Sequence, residues 1–219
     1  MFRSWLVISL GLILTGFVVA CAAVSPPSSD TKSWKTYRVE ISGQITQFSI
    51  PPDESSDFPN FEIPQYIDVA QRGICNEAHI GPKLLNRFWD YKINRLSPVD
   101  GTLHAYIVLW CSEKEISNSG ALQVAVEENQ KLIIIRGLTE GGNGGPVDKM
   151  RFETKSFSGK TALLVTHQIT SPNYVVLLSP YYYLTISIDI GSVRNPELRT
   201  MAKTTADAIL NSIHIEPKN

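Results

Sequence analysis

Leu103-His104-Ala105-Tyr106-Ile107-Val108-Leu109-Trp110 is apolar on whichever side it is viewed. At period two, Leu103, Ala105, Ile107 and Leu109 share one face and Tyr106, Val108 and Trp110 the other. A strand of that kind has no face to offer to water, so the sheet that holds it is covered on both sides. The fold is therefore layered, and the rest of the chain must supply the layers.

Upstream, Tyr37, Val39 and Ile41 alternate with polar residues, Ser42-Gly43 interrupts them, and Ile45, Phe48 and Ile50 follow, which predicts a hairpin. Pro51 to Gln71 carries four prolines and no regular period and reads as a long surface loop with one short strand. Gly81-Pro82 then predicts the start of a helix, because Leu84, Leu85, Phe88, Trp89 and Leu96 recur at near-helical spacing. Downstream, Ser119 to Gln130 reads as a short helix and Lys131 to Arg136, rich in isoleucine, as a buried strand. Arg151 to Phe157 and Lys160 to Ile169 flank Ser158-Gly159 as a second hairpin. Tyr174 to Ser179, between Pro172 and Pro180, and the alternating run Tyr183 to Ile190 are further strands. The chain closes on a helix with Asn195 as N-cap, Pro196 at its first position, Glu197 in the first turn, and one stripe of Leu198, Met201, Ala202, Thr205, Ile209 and Ile213. Strands outnumber helices and most connections are hairpins. The class is α+β, with an antiparallel sheet of about six strands flanked by helices, one of them C-terminal.

The order of these elements resembles the PsbP and DcrB group of small sandwich domains. The resemblance is carried by the opening Tyr37-Arg38-Val39-Glu40-Ile41 hairpin leading to Phe48-Ser49-Ile50-Pro51, by Phe157-Ser158-Gly159-Lys160, and by the closing helix with Ala208-Ile209-Leu210-Asn211-Ser212-Ile213. It spans most of residues 35 to 215. It implies a binding module and carries over no active-site residue.

The N-terminus bears on location. Arg3 precedes an apolar run from Trp5 to Val19, and Val18-Val19-Ala20-Cys21 follows, the order of a secretory signal with a small residue at the cut. Val18-Val19-Ala20-Cys21 resembles the lipobox of bacterial lipoproteins, which implies an acylated Cys21 as first residue of the mature chain; an ordinary signal peptide or an uncleaved anchor is the alternative. Ala22 resembles the sorting pattern for the outer membrane. The expected organisation is a signal peptide at 1–20, a lipidated tether at 21–34 and one α+β domain at 35–219.

The whole chain is 43% hydrophobic and 19% charged, enough apolar content to bury a core. Its formal charge of −1 is mixed along its length, without the basic block that nucleic acid requires. Membrane contact is then expected through the N-terminal lipid. In an exported protein, the even pair Cys75 and Cys111 suggests a disulfide, the alternative being that Cys111 is a small buried hydrophobe.

Motifs for catalysis are not met. Lys160-Thr161 lacks the earlier glycine of a phosphate loop, since position 154 is Thr154, and is followed by a strand. Ser29-Asp30-Thr31-Lys32 has serine–lysine spacing but lies in the tether. His79, His104, His167 and His214 are scattered singly, with no metal-ligand spacing; only His167, in a predicted strand, leaves room for a pair with a distant carboxylate. No cofactor is implied. The candidates for partner contact are the glycine-rich loop Gly137 to Lys149, with Gly141, Gly142, Asn143, Gly144, Gly145 and Asp148, and the run Tyr181-Tyr182-Tyr183. The expected partner is another protein: a toxin, if the chain is an immunity lipoprotein, or a component of an envelope complex, if it has an assembly role. An unrecognised hydrolase is the third reading.

Overall fold

Two hairpins with Ser-Gly turns organise the structure. Ser42 and Gly43 have φ of 50° and 70°, and Ser158 and Gly159 have φ of 50° and 75°. Positive φ at both central residues is what a two-residue type I′ turn needs, and it favours glycine in the second place. The computed structural model describes residues 31–52, 61–71, 73–94, 96–135, 149–167, 170–191 and 193–218.

In chain order the elements are β1 (Lys35–Ile41), β2 (Gln44–Ile50), β3 (Tyr66–Ile67), β4 (Ile80–Tyr91), β5 (Gly101–Cys111), α1 (Ser119–Ile135), β6 (Arg151–Phe157), β7 (Lys160–His167), β8 (Thr170–Ser179), β9 (Tyr182–Ile190), α2 (Pro196–Ser212) and β10 (His214–Pro217). Six strands form one antiparallel sheet, ordered β4-β5-β9-β8-β7-β6, as expected in number and sense. The opening hairpin does not join it. It builds a second sheet, β10-β2-β1-β3, in which β3 runs parallel to β1.

The doubly apolar strand is β5, and it feeds two cores. Leu103, Ala105, Ile107 and Leu109 enter one with Val39, Ile41, Phe48 and Ile50 of the small sheet and Leu198, Ala202 and Ile209 of α2. Val108 and Trp110 enter the other with Leu122, Val126 and Ile133 of α1. The order of layers is α1, six-stranded sheet, then α2 and the small sheet together. Each fully buried aliphatic such as Leu103 or Ile107 contributes about 1.5–3 kcal/mol. The two sheets are also tied by polar contacts: the Ile215 amide donates to Ser158 Oγ at 2.9 Å, and Gln44 Nε2 to the Leu178 carbonyl at 3.1 Å.

Two expectations are corrected. The residues read as a helix from Gly81 are the strand β4. Register shifts on either side of Lys83 let Leu84 and Leu85 both turn inward, which imitates helical spacing, while Leu85, Trp89 and Tyr91 keep the parity of a strand. Leu96 belongs to the following loop and is 87% exposed. Lys131 to Ile135, read as a strand, is the end of α1. Asn118 caps that helix, its Oδ1 accepting from the Ala121 amide at 3.0 Å, and Ile133 continues the stripe of Leu122, Val126 and Asn129 while Ile134 and Ile135 face outward. In β2 the inward residues are Thr46, Phe48 and Ile50, with Ile45 on the outer face. The closing helix is as expected: Asn195 Oδ1 accepts from the Glu197 and Leu198 amides, and Met201 alone of the predicted stripe is exposed.

Candidate functional site

Cys75 and Cys111 are joined by a disulfide with a Cα–Cα separation of 6.1 Å. Beside it lies the main polar cluster of the described residues. His79 has a left-handed backbone, φ 63°, its amide bonded to the Asn76 carbonyl and its carbonyl to the Cys111 amide. Asn129 Nδ2 donates to the Cys111 carbonyl at 3.0 Å and to Tyr183 Oη at 2.7 Å. A carbonyl only accepts, so the amide orientation is set and Asn129 Oδ1 faces His79 Nδ1 at 2.7 Å. His79 Nε2 lies 3.2 Å from Glu113 Oε1. A carboxylate–imidazole pair can begin a proton relay, but here the other ring nitrogen is engaged by an amide whose own donors are committed. Neither nitrogen is left to activate a nucleophile. The cluster is a fastening between the disulfide loop, the end of β5 and α1.

The other histidines are dispersed. His104 stacks on Phe88 at 4.0 Å between ring centres and bonds Asn86 Oδ1 at 2.8 Å. His167 closes β7 opposite Thr170, and His214 lies in β10 opposite Gln47. The tyrosine run is divided between roles: Tyr183 is buried in the α1 core, Tyr182 donates to the Val69 carbonyl at 3.0 Å, and Tyr181 is 47% exposed. Cys21, and Gly141, Gly142, Asn143, Gly144, Gly145 and Asp148 of the glycine-rich loop, lie outside the described residues. Among the described residues no group of three or more His, Cys, Asp or Glu is placed to hold a metal ion, and no helix is long and apolar enough to cross a membrane.

A groove of about 760 Å³ runs along β1, lined by Lys35, Thr36, Tyr37, Arg38 and Glu40 on one wall, Glu62 to Gln65 on the other, and Arg87 of β4. Its geometry follows from strand parity. The Ser42-Gly43 turn closes a ladder in which Ile41 faces Gln44 and Val39 faces Thr46, so the odd residues of β1 direct their backbone groups at β2. The even residues direct theirs the other way. The Glu40 amide accordingly donates to the Gln65 carbonyl at 3.0 Å, and β3 pairs with Glu40 and Ile41. Toward Lys35 no strand continues that pairing among the described residues. The backbone N–H and C=O of Thr36 and Arg38 therefore face the groove. Open edges attract other chains, and charged side chains such as Lys35 and Arg38 are the usual guard against unselective pairing.

Sequence reasoning did not find this site. The alternation of β1 was legible, but which of its edges stays open depends on β2, β3 and residues 62–65. The charges of Lys35 and Arg38 on an early strand were the available signal.

No family model matches the chain, and no curated protein matches it. Among solved structures, one similar chain is LpqN, a protein involved in cell envelope biogenesis of Mycobacterium tuberculosis. The likeness has a TM-score of 0.40 and 12% sequence identity over 84% of this chain and 92% of that one. A likeness so remote carries no argument about this chain.

Proposed function

We propose that the chain is a lipid-anchored, non-enzymatic protein-binding module of the bacterial envelope that works through the groove beside β1. The observation that carries this reading is the edge of β1, where backbone donors and acceptors at Thr36 and Arg38 face an open groove of a size typical of binding clefts. Such groups are what a polypeptide partner can satisfy. The anchor is supported by Val18-Val19-Ala20-Cys21 at the end of an apolar signal, and an outer-membrane address by Ala22. Lys35 follows Trp34, which is buried in the core, so the groove lies at the N-terminal start of the packed domain. The sharper version of the reading is an immunity protein that neutralises an envelope-acting secreted toxin.

The test is a photo-crosslinking residue placed at Gln65, an exposed position on the groove wall, in the full-length chain expressed in a bacterial envelope with candidate toxins present. A protein captured at that position, and lost when a lysine-to-alanine change is made at Lys35, supports the reading. A folded, anchored chain that captures no protein from Gln65 or from any other exposed position would overturn it.

A further inference from the structure

We propose that the groove takes its partner as an added β-strand: an extended polypeptide segment laid against Thr36 to Arg38, with an acidic side chain directed at Lys35. The inference rests on the protein-binding reading above and states how that binding is made.

Three observations identify the occupant. First, the even residues of β1 present N–H and C=O groups at strand spacing, and β3 already uses the same edge at Glu40 and Ile41. An added segment continues an existing ladder in line with β3, as peptides do when they extend an exposed sheet edge. Second, the edge is held in place before anything binds. Ser49 is bonded on both backbone groups by Ser212 Oγ, Thr36 Oγ1 meets Ser49 Oγ at 2.9 Å, and the Lys218 amide donates to the Gly43 carbonyl at 2.9 Å. A partner strand then meets a preorganised surface, which lowers the ordering cost of association. Third, the charges select. Arg38 is matched by Glu216 at 3.3 Å, within the small sheet, and Glu40 by Lys218, just after β10, at 2.7 Å. The Lys35 ammonium sits 4.9 Å over the Tyr37 ring and lines the groove. An acid on the segment complements it, whereas Glu62 on the opposite wall disfavours an acid pointing that way, so the charges also orient the segment.

The probe is the synthetic peptide acetyl-Lys-Thr-Val-Glu-Val-Thr-Lys-amide, titrated into the full-length isotope-labelled chain in detergent micelles and followed by amide hydrogen exchange. Expected is slowing of the Thr36 and Arg38 amides by roughly tenfold or more, with Tyr37 and Val39, already bonded to β2, unchanged. A twin peptide N-methylated on alternate residues loses the effect, and a twin with lysine in place of glutamate binds about tenfold more weakly. Arg38→Pro removes a groove-facing N–H together with the Glu216 pair, and Arg38→Ala removes the pair alone, so the first should abolish binding and the second retain it; should the proline variant fail to fold, the N-methylated twin decides alone. Exchange at Thr36 and Arg38 that no peptide alters, or equal binding of the N-methylated twin, overturns strand addition. If a protein is nonetheless captured by crosslinking at another surface, the binding reading stands and strand addition falls; if none is captured anywhere, both fall.

Discussion

His79 and Asn129, fifty positions apart, are joined by a 2.7 Å hydrogen bond, Nδ1 to Oδ1. Because Asn129 also serves the Cys111 carbonyl and the Tyr183 hydroxyl, one buried amide on α1 binds together the disulfide loop, β5 and β9. A hydrogen-bond network centred on a buried amide is sensitive to the loss of any member.

Asn129→Leu should therefore destabilise by about 1–3 kcal/mol, since the Cys111 carbonyl and Tyr183 hydroxyl would lose a donor in the interior. Tyr183→Phe should cost less, and the two changes together less than their sum. Urea unfolding of the three variants checks this; strictly additive values would dissolve the network.

The disulfide closes a separation of 36 residues. Replacing both Cys75 and Cys111 by serine should lower stability by about 3–4 kcal/mol in the loop-entropy account. The same loss should follow when oxidised protein is treated with reductant. Equal unfolding midpoints with and without reductant would refute it.

Burial is the main cause holding His104 below its ordinary 6.5; Asp189 opposes that shift and Lys83 adds to it. The unfolded chain takes up this proton as pH falls through 6.5, whereas the folded chain does so only at lower pH. The unfolded state then binds more protons, so stability falls as pH drops below 6.5 and levels off under the folded value. His104→Gln, which can still meet Asn86, should flatten that part of the profile in denaturation series run at successive pH values.

Gly101 stands where β5 passes the approach to α2. A Cβ there would lie 2.5 Å from the Val193 nitrogen and 2.6 Å from its Cα, so backbone must move. Asp100 next to it accepts from the Arg194 and Asn195 amides at 2.8 Å each, which ties the same segment down. Gly101→Ala should cost about 1–3 kcal/mol, more than Asn195→Ala at about 1 kcal/mol. Thermal unfolding that ranks them the other way would show that the segment yields.

Intact-mass analysis of the mature chain should find an acylated Cys21 at its N-terminus, and Cys21→Ser should leave the chain unprocessed or loosely membrane-associated. An unmodified terminus at any other residue would remove the anchor from the functional reading.

The sequence by itself determined what is encoded over a few neighbouring residues. Ser42-Gly43 and Ser158-Gly159 supply the backbone conformations of their turns, Asn195-Pro196-Glu197 satisfies and orients the start of α2, and the uninterrupted apolar character of β5 demands a covered sheet. Only the tertiary structure decided the rest, because there the deciding contacts come from far along the chain. Leu84 and Leu85 suit a helix until β5 offers a ladder with a register shift; the isoleucines at 133–135 suit a strand until the sheet beneath α1 receives Ile133 alone. The opening hairpin forms its own sheet because β10 arrives to pair with β2 and α2 to cover it, and among the described residues the edge of β1 is left open because β3 pairs with only its last two residues. Local hydrogen-bonding and steric rules act on adjacent residues and can be read from a sequence; which edge or face remains unsatisfied is set by every element that does or does not reach it.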